Sequence, residues 1–538
     1  MKKKEFWVYF SILIILILIV VSNMMIQGIT CNDEVQLRLN SQHGLLYFLR
    51  KQIVEEDIYQ GRILGALGNI KFISFISTNV YVFRAIEMAI LLIAIGLFGV
   101  FVCEIFKNKK IGILSAILAL VFLPITFEHS VPNAFVIVVC QPLILLLLSL
   151  LCYLRFFKVE KKRYIIFSCI LFFWGCCLYE FVVTYIFLFF VIALLKQDKN
   201  ESYIMVLKKC VPHIVTAVVY LSCYFLQGRI FPTKYEGTSV NIFNITGILN
   251  VLKIEWLSSL PGYYLFNKKY KYLHNIYSAK IDMMMITIII IFIISLTTIL
   301  VKLLNNNSMQ KRNIKRSILI ALTAVAYTII PTIPNSITPL YQECVSENYF
   351  TSIPVSLFLY LAIIFLITWG TWSFTAKFPN FFLFPICIMT ILGTCVYITN
   401  KGIAEQQFKD YNRFVSIEEL LSTNFWANYP ELQIEAPSLF ETRDNLAIES
   451  GHWTDYISLY NGGNIQIDSD NDNANCFIQM QDNNSFYMVL NNANYYITKD
   501  DDEDIFLIKN LNGESQIAHK KNGIWKDKEF VFFEIEVD

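Results

Sequence analysis

Hydrophobic positions in this chain form long unbroken runs rather than alternating with polar ones. A helix needs about 20 apolar residues to cross the hydrocarbon core of a bilayer. Runs of that kind occupy 6–26, 80–106, 111–127, 134–154, 164–178, 181–195, 210–230, 284–303, 317–333, 351–370 and 379–399. They predict about eleven transmembrane helices. The stretch 164–196 is too long for one upright helix, and basic clusters flank both ends. It reads as a hairpin with its tip at Tyr179-Glu180. The first run follows Lys2, Lys3 and Lys4 and precedes no small-residue cleavage site. It reads as a retained anchor with a cytoplasmic N-terminus.

Beyond residue 400 the pattern changes. Residues 413–422 suggest a short helix. Segments 476–480, 486–490, 495–498, 505–508 and 530–537 are strand-like, with Asn, Asp and Gly turns between them. The predicted fold is therefore an α-helical polytopic membrane domain (1–400) followed by a mostly β soluble domain (401–538).

Charge sharpens this division. The 538 residues are 55% hydrophobic and 16% charged, where soluble domains average about 25% charged. Residues 1–400 hold 34 Lys+Arg against 18 Asp+Glu, and residues 401–538 hold 10 against 25. Predicted inside segments (1–5, 107–110, 155–163, 196–209, 302–316 and 371–378) carry 21 Lys+Arg, while the outside segments 128–133 and 334–350 carry none. Two longer outside loops, 28–79 and 231–283, complete the layout. Eleven spans that start inside put the acidic domain outside the cell. The basic residues flank spans, which excludes nucleic acid as a partner. The 13 cysteines show no CxxC spacing and lie mostly in apolar runs, so neither a disulfide framework nor a thiolate metal site is expected.

The candidate chemistry is acidic and lies at the outer ends of spans. Asp33 and Glu34 follow the first span, where an apolar wall can raise a carboxyl pKa and a lipid headgroup can reach. Arg62, in the same loop, offers a planar fork suited to phosphate. Glu128 and His129 follow the third span and could serve as acid–base groups or metal ligands. Glu180 is an ionisable group within a long apolar stretch. Arg84 and Glu87, at i and i+3, suggest an ion pair on a helix surface. Asp468, Asp470 and Asp472 have calcium-loop spacing, but Asn473 and Gln479 replace the required Gly and Glu. The 500–504 acidic run reads as a solvated turn. P-loop, GxSxG and HExxH motifs are absent.

This arrangement resembles the GT-C glycosyltransferases, polytopic enzymes that take a sugar from a polyprenyl-phosphate carrier outside the cytoplasmic membrane. Asp33-Glu34 resembles the Asp-Glu pair of the protein mannosyltransferase branch, and Glu128-His129 matches the place of a second loop motif. The loop 231–283, with Tyr235-Glu236-Gly237-Thr238, and the outside C-terminal domain are similar to the family layout. Bacterial glucosyltransferases that decorate surface polysaccharide are the nearest functional relatives the pattern suggests. The resemblance implies inverting transfer, with Asp33 as general base and Glu34 orienting it or the acceptor. Arg62 would bind donor phosphate. Glu128 and His129 would bind the acceptor or a divalent metal (Mg or Mn). The expected partners are a polyprenyl-phosphate-linked sugar, a surface glycan acceptor and membrane lipid. A polysaccharide polymerase differs mainly in its donor. A lipid-linked-oligosaccharide flippase would place charges in mid-span, and the runs from 284 to 400 hold almost none.

Overall fold

A computed structural model describes residues 3–26, 28, 34, 45–51, 80–125, 131–197, 202–232, 239–266, 281–305, 314–343, 355–429, 431–437, 454, 464–468, 470, 472–482, 484–500 and 505–519. The chain divides into two compact units. One comprises Met1–Met24, Leu49–Lys71 and Ile86–Ile403; the other comprises Met25–Phe48, Phe72–Ala85 and Ala404–Asp538.

The first unit is a helical membrane domain. Its principal helices are α1 (Lys3–Met25), α2 (Val80–Phe106), α3 (Lys109–Val121), α4 (Val136–Val159), α5 (Lys162–Leu178), α6 (Ile186–Leu195), α7 (Tyr203–Ile230), α8 (Ile245–Ser258), α9 (Met283–Leu304), α10 (Ile314–Ala326), α11 (Val355–Lys377) and α12 (Leu383–Leu421). Among the described residues, eight helices are long and apolar enough to cross a membrane. The other three predicted spans form shorter apolar helices. α3 has 13 residues and α5 has 17, while 180–195 divides into a 3-10 turn, Glu180–Tyr185, and α6. At 1.5 Å per residue, α3 covers only about 20 Å. It stops at Phe122, and Asn400 holds the non-helical chain beyond it. The Asn400 carboxamide accepts from Ile125 N–H at 2.8 Å and donates to the Leu123 carbonyl at 2.9 Å. Both bonds satisfy backbone groups that the helix leaves open.

The hairpin turns where the sequence places it. Tyr179 is extended between α5 and the 3-10 turn. Phe172 and Phe189, on opposite sides of the break, meet at 5.0 Å between ring centres. α2 and α3 approach closely through Gly99 and Gly112; a Cβ on Gly112 would lie 2.5 Å from the Gly99 carbonyl oxygen. A buried polar knot joins α4, α5 and α7. The Ser149 and Ser168 hydroxyls lie 3.0 Å apart, and Ser168 Oγ is 2.8 Å from His213 Nε2. His213 stacks on Phe189 at 4.0 Å and meets the Tyr153 ring edge at 4.7 Å. Such interhelical hydrogen bonds hold spans together.

Contacts within this unit tie together the ends of several helices. Near one set of ends, Lys158 of α4 pairs with Glu104 of α2 at 2.5 Å, and Lys110 Nζ of α3 donates to the Asn305 carbonyl that follows α9 at 3.3 Å. Short elements also pack together. α8 packs on the short helices Ile333–Ser336 and Pro339–Glu343, and the Glu180–Tyr185 turn packs on the Ile330–Thr332 turn.

The second unit contains a seven-stranded sheet in the order β2-β1-β3-β4-β5-β6-β7. Its strands are β1 (Glu431–Glu435), β2 (Asn464–Asp468), β3 (Cys476–Asp482), β4 (Ser485–Leu490), β5 (Ala493–Asp500), β6 (Ile505–Asn510) and β7 (Ser515–His519). β1 pairs in parallel with β2 and β3, and the rest are antiparallel. The β4–β5 turn is Asn491-Asn492, both with positive φ, as a two-residue hairpin of this twist requires. Alternate residues such as Ile478, Met488, Ile497 and Phe506 are buried. Strands β1, β2 and β7 add to the sequence prediction, and 530–537 lies outside the described residues. The predicted short helix at 413–422 is instead the end of the 39-residue α12. Lys499 pairs with Glu419 at that end, and Asn424 Oδ1 accepts from His519 N–H at 2.9 Å.

Candidate functional site

α2, α4, α6, α10 and α11 surround an apolar cavity of about 110 Å³. Leucines of α4, phenylalanines of α2 and α11 and aliphatic side chains of α6 supply most of its wall; Thr323, Tyr185 and Tyr327 bring the hydroxyls. From Tyr185 to Leu195 it follows about 15 Å of helix. Its lining is almost wholly apolar. At one end Tyr185 and Tyr327 stack at 4.8 Å, and Phe358 lies 5.7 Å from Tyr185.

Polar groups gather beyond that end. The chain past Tyr327 runs into the Ile330–Thr332 turn, which packs against both the Glu180–Tyr185 turn and α11. Glu180 opens its turn, half-buried, within electrostatic reach of Tyr220. One turn further on, Asn335 Nδ2 donates to Glu255 Oε1 at 3.2 Å.

Glu255 is absent from the sequence-based candidates. It is 0% exposed on α8, in line with buried Gly247, Val251 and Ser258. The spacing 247, 251, 255, 258 is one helical stripe, so a glutamate on the packed face was a readable signal. Asn244 caps this helix by accepting from Gly247 N–H at 3.0 Å, and its Nδ2 donates to Gln342 Oε1 at 3.2 Å. Gln342 in turn donates to the Asn241 and Ser336 carbonyls, both at 2.9 Å. The result is a fixed platform for the carboxyl. Burial pushes the Glu255 pKa up to about 8, and the Asn335 hydrogen bond pulls against that rise.

In the second unit, Glu34 is buried beside Arg84. The Glu34 Oε2 lies 3.7 Å from Arg84 Nη2. Arg84 also directs Nε and Nη2 onto the Gly28 carbonyl, at 2.7 and 2.5 Å. Gly28 has φ +73°, and any side chain there would collide with the Tyr411 ring. The expected surface pair at Arg84 and Glu87 is thus corrected, since each residue is only 1% exposed. The fork of Arg84 reaches back along the chain instead of out to solvent. Asp33, Arg62, Glu128 and His129 lie outside the described residues, as does 235–238. Among the described residues, no cluster of three or more His, Cys, Asp and Glu side chains could hold a metal ion. No protein-family model matches the sequence, and no curated protein is significantly similar to it.

Proposed function

We propose that the protein is a membrane glycosyltransferase. It moves a sugar from a polyprenyl-phosphate donor to a cell-surface glycan or lipid-linked acceptor on the extracytoplasmic face, in an eleven-span layout with its C-terminal domain outside. The observation that carries this reading is the apolar cavity that ends near two carboxyl groups, Glu180 and Glu255. The cavity wall offers apolar contact to part of a hydrocarbon tail, and a polar reacting head belongs beyond its end.

In this reading Asp33 takes the proton of the acceptor hydroxyl. The hydroxyl oxygen attacks the anomeric carbon, the bond to phosphate breaks, and polyprenyl phosphate leaves with its electron pair. Arg62 stabilises the phosphate charge. Glu34, buried against Arg84, is a positioning residue that fixes the backbone next to Asp33. Glu128 and His129 bind the acceptor, and a divalent ion used by the reaction would fall to them.

The test is transfer of labelled hexose from polyprenyl phosphate in membranes. Asp33→Asn is expected to lower turnover by at least about 10²-fold, the lower range for a general base. Arg62→Ala should weaken donor binding, and Arg62→Lys should restore it in part because the fork is lost. Near-normal transfer by Asp33→Asn would move the base to Glu34 or Glu128. Intact transfer after substitution of all three would end this reading.

A further inference from the structure

The carboxyl of Glu255 has one oxygen satisfied and one not. Oε1 accepts from Asn335, whereas Oε2 is shielded from water and has no hydrogen-bond partner among the described residues. Nearby hydroxyls do not serve it. Ser258 and Ser259 both donate to the main-chain carbonyl of Glu255, at 3.0 and 2.9 Å. Ser259 also approaches the Ser356 carbonyl, two residues before the cavity residue Phe358. A buried polar group left open in this way destabilises the fold, and such sites gather where ligands bind.

Resting on the transferase reading, we propose that Glu255 and Asn335 form the subsite that recognises a sugar hydroxyl of the lipid-linked substrate, beyond the end of the apolar cavity. The chemistry favours a neutral, hydroxyl-bearing group. With its raised pKa the Glu255 carboxyl keeps its proton at neutral pH, so it offers both a donor and an acceptor. Asn335 adds a carboxamide with no charge. A phosphate would call for a cation, and a metal ion for further carboxylates or imidazoles. The placement fits the same substrate. The Ile330–Thr332 turn lies in the chain between the cavity residue Tyr327 and Asn335, and it packs on α11, which also lines the cavity.

The subsite can be tested on the unmodified full-length protein in lipid nanodiscs. Dicyclohexylcarbodiimide is an apolar reagent for protonated carboxyls. The acid O–H adds across one C=N bond, the proton passes to nitrogen, and the carboxyl oxygen bonds to carbon with no leaving group. Peptide mass analysis reads the adduct at Glu255. Without ligand, Glu255 is expected to be labelled. Farnesyl phosphate carrying a hexose, at ten times its dissociation constant, should slow labelling about tenfold by mass action. Farnesyl phosphate alone should leave the rate nearly unchanged. Failure of Glu255 to label, equal labelling with and without the hexose compound, or equal protection by bare farnesyl phosphate would each overturn the proposal. Hexose-dependent protection in a protein that transfers no sugar would keep the subsite and remove the transferase reading. Transfer without protection would do the reverse.

Discussion

Glu34 lies 3.7 Å from the guanidinium of Arg84, whereas Glu255 meets the uncharged carboxamide of Asn335 at 3.2 Å. Both are sealed from water, at 5% and 0% exposure. The first is compensated by an opposite charge, itself braced on the Gly28 carbonyl. The second is held neutral by burial, with a carboxamide on one oxygen. A compensated carboxylate is fixed in place by its partner and is suited to shaping the backbone around it. A neutral carboxyl with an open oxygen keeps a proton and a vacant hydrogen-bonding direction. The two regions thus show one residue type in two electrostatic settings, with the partner deciding which.

The largest effect expected from this contrast is at Arg84. Arg84→Met would leave Glu34 buried without its cation and strip the Gly28 carbonyl of its donors. Breaking a buried pair in this way costs about 3–5 kcal/mol. Thermal unfolding of the full-length protein in detergent should show a large drop in melting temperature. Adding Glu34→Gln to Arg84→Met should recover much of the loss, because position 34 then carries no charge. A single variant that melts like the parent would remove the distinction between the two carboxyls.

The long apolar helices were legible because hydropathy acts over tens of residues and needs no partner. Glu180 was legible for the same reason, as a charge interrupting an apolar run. Arg84 was misplaced at the surface because i,i+3 spacing says nothing of burial, while its hydrogen-bond acceptor Gly28 lies 56 residues away. Glu255 was passed over because its segment reads as an outer loop, where acids are ordinary. Its partner Asn335 is 80 residues distant. Strands β1 and β2 escaped because their charged ends (Glu431, Glu435 and Asp468) hide a short alternation, and their parallel pairing leaves no hairpin signal. In each case the missing information is a contact far along the chain.

A smaller effect is expected at Asn335. Asn335→Ala removes the donor to Glu255 Oε1 and leaves a second buried oxygen open, a loss of about 1–3 kcal/mol. The Asn335 hydrogen bond lowers the Glu255 pKa, so its removal should carry that pKa further up. The pH dependence of carbodiimide labelling in the variant should shift to higher pH. A shift downward, or none with unchanged stability, would mean that Asn335 is not the group restraining this carboxyl.

The effect at Glu255 itself depends on pH and is smallest in acid. The folded pKa is about 8, against an ordinary value of 4.5. Between these values the folded protein keeps a proton that the unfolded chain has released. The unfolded state then binds fewer protons, so stability falls as pH rises through this window. Below 4.5 both states are protonated and the penalty vanishes; above about 8 both are ionised and it levels off. Glutamine has nearly the same shape, still accepts from Asn335, and does not titrate. Glu255→Gln should therefore melt close to the parent at pH 5 and increasingly above it toward pH 8. Titration of every other group is common to both proteins and cancels in the difference. Parallel melting curves across the range would show that this carboxyl is not the neutral member of the pair, and the contrast with Glu34 would then fail at its second half.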